Sequence, residues 1–317
     1  MKKLSIFIIL FSFALSNLIA QETEDAEVKV KDKPVRSPWE SGVLIDHQTS
    51  VVPFKNTLQF VIQHKFGPMD NRKSDLWGIY APGANVRLGL DYVILKNVQI
   101  GAGITKKNMY SDFNLKWNIL EQTRENTIPV AVTLYGNMAI DGRDISAFKT
   151  GKVQRAFQIT ENYNYRYVDR LSYFSQLIIG RKFSDWLTLQ VAVSFTHFNA
   201  TNITNVKVPD GRYIHEDHDK IGLHFSGRAK ISPQSSLIFN YDLPLKIKNI
   251  SEQLDWLEYP KPNLAFGIEI ATSTHAFQIY AGSADGIIPQ NVMLYNTNDW
   301  TNGGLAIGFT ITRLWNF

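Results

Sequence analysis

Apolar and polar residues alternate through most of the chain beyond residue 56. In residues 187–197, LTLQVAVSFTH, apolar side chains occupy every second position, and small or polar side chains lie between them. Successive side chains of a β-strand point to opposite faces, so this pattern predicts a strand with one apolar face. About twelve such segments of roughly ten residues occur, the length that crosses a bilayer at a tilt. They cover residues 57–66, 85–95, 98–106, 110–120, 128–140, 171–183, 187–198, 219–231, 236–244, 262–272, 275–283 and 302–317.

The connections between these segments alternate between short and long. Short links are predicted at 96–97, 121–127, 184–186, 232–235 and 273–274, and long ones at 67–84, 141–170, 199–218, 246–261 and 283–301. Only the link at 107–109 breaks the rule. Short inner turns and long outer loops are typical of membrane barrels. The chain is therefore predicted to be all-β, a transmembrane up-and-down antiparallel β-barrel of about 12 strands over residues 57–317.

Aromatic residues near the strand ends favour a membrane barrel over a soluble sandwich. Trp and Tyr prefer the headgroup layer of a bilayer. Near the predicted inner ends lie Trp117, Trp186 and Trp315, and near the outer ends lie Tyr80, Tyr110 and Trp300. We expect these residues to form two girdles, with the apolar strand faces toward lipid and the polar faces toward the lumen.

The N-terminal region is predicted to lie outside the barrel strands. Residues 1–20, MKKLSIFIILFSFALSNLIA, have the charged start, apolar core and small final residue of a secretory signal peptide cut after Ala20. Residues 21–40 are charged and poor in apolar side chains, which predicts a disordered periplasmic tail. Residues 41–56 fit a short helix, an extra strand or a partial plug, and the sequence does not choose among them. Export and a barrel together predict the bacterial outer membrane as the location.

The C-terminal strand carries an expected assembly signal. Trp315 and the terminal Phe317 continue its apolar face. A last strand that ends in an aromatic residue resembles the signal by which the barrel-assembly machinery recognises its substrates. That machinery and the outer-membrane lipids are the expected partners, together with a small solute that the sequence does not identify.

Five stretches resemble a known family. They are LQFVIQHKFG, GIYAPGANVRLGLDY, DRLSYFSQLIIGRKF, PNLAFGIEIATSTHAFQIY and GFTITRLWNF, and they run from Leu58 to Phe317. The combination is similar to a family of Bacteroidota outer-membrane β-barrels catalogued as a domain of unknown function. The resemblance implies the fold and the location, and it supplies no substrate or catalytic residue.

Composition and motifs exclude several functions. The chain has 33 basic and 29 acidic residues, and without Lys2 and Lys3 of the signal the balance is 31 − 29 = +2, which favours no nucleic-acid partner. The chain has no cysteine, so disulfides and thiolate metal sites are excluded. No nucleotide loop or zinc spacing is present. We therefore expect no cofactor, no metal site and no enzymatic activity.

Charged and glycine residues are predicted on the lumen face. We expect the charges either to neutralise one another or to line a pore, and the inner glycines favour an open lumen or bent strands. Lys65 is likewise predicted to face the lumen. The candidate lumen-lining residues are Arg87, Asp91, Asp112, Lys116, Lys182, His224, Arg228, Lys230, Asp242 and Glu269.

Three functions are compatible with these features. The first is a channel or passive transporter for small solutes. The second is a non-conducting structural or binding barrel that uses its extracellular loops. The third is a membrane lipid hydrolase built on His224 and Ser226, which is disfavoured because both side chains are predicted to face the lumen. A barrel of about twelve strands lies between the sizes that are filled and those that conduct, so size does not decide.

Overall fold

The computed structural model describes residues 32–69, 72–149, 165–201, 206–207, 213–214, 217–247 and 260–317. The predicted signal peptide and the first part of the predicted tail lie outside these ranges. No helix among the described residues is both long and apolar enough to span a membrane.

Twelve strands close into one antiparallel barrel, which confirms the predicted fold class. Two short strands, β1 (Val43–Leu44) and β2 (His47–Gln48), precede it, and another pair, β10 (Val206–Lys207) and β11 (Tyr213–Ile214), lies in an outer loop. The barrel strands are β3 (Thr57–Pro68), β4 (Asn85–Leu95), β5 (Val98–Thr105), β6 (Tyr110–Leu120), β7 (Ala131–Ile140), β8 (Leu171–Lys182), β9 (Leu187–Phe198), β12 (Asp219–Lys230), β13 (Ser235–Leu245), β14 (Asn263–Ala271), β15 (His275–Gly282) and β16 (Ala306–Asn316).

Each barrel strand pairs with the barrel strands before and after it in the chain. β9 therefore pairs with β12, because the β10–β11 hairpin between them is not part of the barrel. The barrel closes where β16 pairs with β3, with Ile311 opposite Ile62. Among the described residues, helical segments occur only in the connections: α1 (Ser146–Lys149), α2 (Pro289–Tyr295) and 3-10 turns at Arg72–Asp75, Lys107–Met109, Tyr167–Arg170 and Trp300–Asn302. Short turns at 96–97 and 272–274 and long connections such as 246–262 reproduce the predicted alternation of short and long links.

Burial alternates along each strand with the predicted period of two. In β9 the apolar Val191, Val193 and Phe195 are exposed on the outer face, whereas Gln190, Ser194 and Thr196 are buried on the inner face. A soluble protein would bury the apolar set instead. The exposed apolar band is the surface that a lipid bilayer covers.

Residues 34–56, here named the plug, enter the barrel before β3 begins. Backbone groups of the plug bond to inward side chains on strands all around the wall, among them β3, β6, β9, β13 and β15. A segment that reaches opposite walls must lie inside the lumen. The plug folds into the hairpin β1–β2, in which Val43 pairs with Gln48.

The turn of this hairpin is held by the wall. Ile45 has a φ of 56°, a conformation that a β-branched residue seldom adopts and that costs of order 1–3 kcal/mol. Its N–H donates to Gln278 Oε1 at 2.7 Å, and its carbonyl accepts from Gln63 Nε2 at 3.0 Å and Thr310 Oγ1 at 3.2 Å. These three hydrogen bonds offset the strain, so the conformation of Ile45 depends on the wall side chains that surround it.

The connection between β15 and β16 also folds into the lumen, which corrects its prediction as an outer loop alone. Its helix α2 begins with Pro289, whose missing N–H costs nothing at a helix start. Met293 is fully buried against Tyr135, Phe174 and Ile178 of the wall. Ile288 packs in the same way on Tyr110 and Ala139. The apolar residues of this segment explain the insertion, because burying them removes surface that an outer loop would expose to water. They are Ile287, Ile288, Val292, Met293 and Leu294, and all five are buried.

Two further predictions were wrong in part. Residues 34–40 of the predicted disordered tail are held by the barrel: Pro34 forms a β-bridge with Thr123, and the buried Trp39 donates its indole N–H to Ser50 Oγ at 3.0 Å. Tyr110 does not join the outer girdle, because its position in β6 has the parity of Asp112 and turns the ring inward, where its hydroxyl donates to Asn291 Oδ1 at 3.2 Å.

Candidate functional site

The lumen between plug, α2 and wall contains most of the charged residues that the sequence singled out. Eight of the ten candidates are buried, whereas Lys182 and Lys230 are only half-buried near the inner ends of β8 and β12. Lys182 Nζ donates to Arg36 O of the plug at 3.1 Å. The buried eight are Arg87, Asp91, Asp112, Lys116, His224, Arg228, Asp242 and Glu269.

Lys65 joins both segments that enter the lumen. Its Nζ lies 2.5 Å from Asp46 Oδ2 of the plug and 2.7 Å from both the Ala284 and Gly286 carbonyl oxygens before α2. The lysine and aspartate side chains are 2% and 3% exposed, so the pair is shielded from water. A single ammonium on β3 therefore holds the plug turn and the inserted loop together.

A second link between plug and wall is built from two histidines and one carboxylate. Asp242 Oδ1 lies 2.5 Å from His47 Nε2 of the plug and 2.5 Å from His224 Nδ1 of β12. The other nitrogen of each ring meets a serine hydroxyl: Ser226 Oγ lies 2.6 Å from His47 Nδ1, and Ser194 Oγ lies 2.7 Å from His224 Nε2. Every polar atom of both rings is thus engaged.

The hydrolase hypothesis does not fit this geometry. Ser226 does not pair with His224, as the sequence suggested, but with His47. Ser226 and Ser194 are 2% and 3% exposed, and neither lines the cavity described below. A nucleophile must reach its substrate, and these hydroxyls are sealed behind the imidazoles.

A third group of charges lies within the wall. Arg87 Nε donates to Asp112 Oδ1 at 2.9 Å, and its Nη2 donates to Asp112 Oδ2 at 2.7 Å. The two residues are on β4 and β6, with β5 between them. Gly103 of β5 leaves the passage open, because a Cβ there would lie 2.5 Å from Arg87 Nη2. Asn137 Nδ2 donates to Asp112 Oδ2 as well, at 3.1 Å.

The remaining inner charges bind the plug or one another. Lys116 donates to Gly42 O at 2.9 Å and to Gln48 Oε1 at 3.3 Å, and both of these acceptors belong to the plug. Arg228 contacts Glu40 of the plug and lies 3.2 Å from Glu269 Oε1. Asp91 accepts amide hydrogen bonds from wall side chains at 3.0 Å.

The inner glycines do not leave an open lumen. A Cβ at Gly101 would lie 1.8 Å from Asp91 Oδ1, and one at Gly222 would lie 2.2 Å from Met293 Cε of α2. Neighbouring side chains and α2 fill the space that the missing side chains provide. The open-lumen interpretation of these glycines was therefore wrong.

A small cavity lies between the plug and α2. Its volume is about 30 Å³, room for about one or two waters. Three plug residues close one side of it, and five residues of the β15–β16 connection close the other. Its lining is Asp46, His47, Gln48, Gln63, Arg87, Tyr135, Asn137, Phe174, Gln176, His224, Asp242, Ile287, Ile288, Pro289, Val292 and Met293.

Several functional residues were missed by sequence reasoning. His47 and Asp46 lie in the segment whose structure was left open, and Ser194 was treated as an ordinary inward residue. No local pattern marks His47, because its partners Ser226 and Asp242 lie more than a hundred residues away along the chain. Asp46 and Ser194 have partners 19 and 30 residues away, which only the fold brings into contact. The apolar residues at 287–288 and 292–294 did carry a signal for an inserted segment.

Comparison with known proteins agrees with the barrel. The sequence model of a family described as a membrane-bound β-barrel domain of unknown function (DUF5777) matches residues 39–315. No curated protein of similar sequence was found.

Solved structures share the architecture at low identity. The NanC porin is 7% identical with a TM-score of 0.47, over 82% of this chain and 99% of that one. An outer-membrane channel from Pseudomonas putida F1 is 11% identical with a TM-score of 0.45, over 84% and 97%. The KdgM porin is 5% identical with a TM-score of 0.40, over 82% and 99%. Such a likeness concerns the fold alone.

Proposed function

This chain belongs to the DUF5777 family of membrane-bound β-barrel domains, and from that premise we propose that it is a gated outer-membrane channel for small polar solutes. Its plug and α2 close the lumen, and their withdrawal opens it. The observation that carries the proposal is the set of hydrogen bonds by which wall side chains hold the plug backbone.

The interface combines one apolar cluster with many hydrogen bonds from wall side chains to plug backbone. The cluster joins Trp39, Leu44 and Ile45 of the plug to Ile238, Ala265 and Tyr280 of the wall. Gln190 Nε2 donates to Gln48 O at 2.8 Å, Asn118 Nδ2 to Ser50 O at 2.9 Å and Gln278 Nε2 to Val43 O at 3.0 Å. Water can replace the plug as partner for such groups at little net cost, since hydrogen-bond exchange contributes only about 0.5–1.5 kcal/mol per bond. An apolar interface would lack that alternative.

The barrel does not depend on the plug for its closure. All twelve strands pair with one another, and no barrel strand pairs with residues of the plug hairpin. Twelve strands enclose more space than the eight whose lumen side chains can fill. Withdrawal of plug and α2 would therefore leave a polar, water-filled passage inside an intact wall.

Planar-bilayer conductance tests this function. The matched proteins are the wild type, a variant lacking residues 34–50, a variant with residues 287–295 replaced by an equally long Gly/Ser linker, and the combination. We expect the wild type to be closed most of the time and the combination to conduct steadily, with the single variants between them. Each barrel must first show the heat-dependent shift in gel mobility of a folded barrel.

A folded combined variant that stays silent would contradict the channel. That result would favour the second candidate, a non-conducting barrel that uses its outer loops. The observation in its favour is that two separate segments, one from each end, close the same lumen.

Export and assembly complete the proposal. The signal peptide at residues 1–20 would direct export, and Trp315 and Phe317 would present the last strand to the assembly machinery. Phe317 is 80% exposed at the end of β16, which supports a role in recognition rather than packing.

A further inference from the structure

We propose that His47, His224 and Asp242 form a binding site for one divalent transition-metal ion of the zinc type, which ties the plug to the barrel wall. The tie to gating rests on the proposed function, whereas the metal site does not.

The three side chains have the composition and proximity of a metal site. One ligand atom from each lies within 4.8 Å of the others, and all three residues are buried. Imidazole nitrogen and carboxylate oxygen suit Zn²⁺ and its first-row neighbours, whereas Ca²⁺ and Mg²⁺ prefer oxygen alone. The histidine rings stand nearly perpendicular, at 81°, with 5.4 Å between their centroids.

Only a small movement would admit an ion. Asp242 Oδ1 now lies 2.5 Å from one nitrogen of each ring. Tetrahedral ligands about 2.0–2.2 Å from Zn²⁺ lie roughly 3.4 Å apart, so each contact must open by about 1 Å. Both rings and the carboxylate also line the cavity, which leaves a fourth position for water.

The surroundings orient the ligands as they do in known metal sites. The second nitrogen of each histidine contacts Ser226 or Ser194, and a hydroxyl can accept the ring N–H when the other nitrogen binds metal. Asn263 Nδ2 donates to Asp242 Oδ2 at 2.7 Å and leaves Oδ1 for the ion.

A second carboxylate adds attraction for a cation. Asp46 lines the same cavity, its side chain is 3% exposed, and its Oδ1 has no hydrogen-bond partner among the described residues. Arg87 also lines the cavity, but its charge is paired with Asp112.

The ligands come from both parts of the closed lumen. His47 belongs to β2 of the plug, whereas His224 and Asp242 belong to the wall strands β12 and β13. An ion bound by all three would therefore crosslink the plug to the barrel and favour the closed channel.

Zinc binding to the purified full-length protein tests the site. After chelator treatment, Zn²⁺ is titrated against a competing chelator, and the bound metal is measured by elemental analysis. We expect one tight equivalent in the wild type, at least ~100-fold weaker binding in His47→Asn and Asp242→Asn, and ~10–100-fold weaker binding in Ser226→Ala.

His218→Asn is the matched control. His218 lies near His197 and Asp219 on another part of the barrel, so it reports on binding by any histidine beside a carboxylate. We expect it to retain the tight equivalent. The site is refuted if the folded wild type takes up no zinc, or if His47→Asn and Asp242→Asn bind it as the wild type does. Neither result depends on conductance.

Discussion

Replacing Lys65 by methionine is expected to make channel openings much more frequent than in the wild type. Methionine keeps the apolar stem but removes the ammonium that binds Asp46, Ala284 O and Gly286 O. Asp46 would then carry a buried charge without its partner, which costs about 3–5 kcal/mol. The plug avoids this cost by leaving the lumen, because water can then hydrate both Asp46 and the wall side chains that had bonded to the plug. Planar-bilayer recordings of the full-length variant measure the openings.

The double variant Lys65→Met/Asp46→Asn separates charge from packing. It lacks the ammonium as well, but no carboxylate is left without a partner. We expect it to open less often than Lys65→Met. Equal opening of both variants would show that the ion pair is not what holds the plug. A folded Lys65→Met variant that never opens would contradict the proposal that Lys65 keeps the channel closed.

Asp112→Ala is expected to give the largest loss of barrel stability. The substitution leaves the buried Arg87 guanidinium without the carboxylate that binds it through two nitrogens. Breaking a buried pair on one side costs about 3–5 kcal/mol. Arg87 cannot swing to water, since its side chain is buried over Gly89 and Gly103 of the wall. Denaturant unfolding in lipid vesicles measures the free energy of unfolding.

Two variants serve as controls for this prediction. Arg87→Met/Asp112→Leu removes both charges and is expected to recover most of the loss, because an apolar pair can replace a buried ion pair. Lys96→Ala removes an exposed ion pair, Lys96 with Glu121 at 3.7 Å, and is expected to change stability by at most about 1 kcal/mol. If Asp112→Ala is as mild as Lys96→Ala, Arg87 is not confined as described.

The barrel itself was predictable from the sequence because a strand has a fixed period. Alternation alone places Val191 on the outer face and Gln190 on the inner face of β9. The ends of most strands also lie within about two residues of their predicted positions. The inward position of Arg87 and Asp112 follows from the same parity.

The contents of the lumen were not predictable in the same way. His47 lies in a segment with no clear period, and its partners Ser226 and Asp242 are brought to it only by closure of the barrel. A long connection such as residues 283–305 can lie above the membrane or enter the barrel. Its apolar positions at 287–288 and 292–294 favour entry, but they do not identify the wall residues that they contact. The partner of an inward charge likewise depends on which residues the fold places opposite it. The hydrogen bond from Lys116 to the Gly42 carbonyl of the plug could therefore not be predicted from the sequence.

Access to a lumen-facing cysteine tests most directly whether the plug closes the barrel. The natural chain has no cysteine, so Gln59→Cys would give one thiol, at a wall position that is 1% exposed and lies beside Gly42 of the plug. Its rate of labelling by a membrane-impermeant reagent is compared with that of Asp185→Cys in an exposed turn. We expect Gln59→Cys to react at least ~100-fold more slowly, because the plug must first open. Removal of residues 34–50 should abolish most of that difference, whereas equal labelling with the plug intact would contradict a closed lumen.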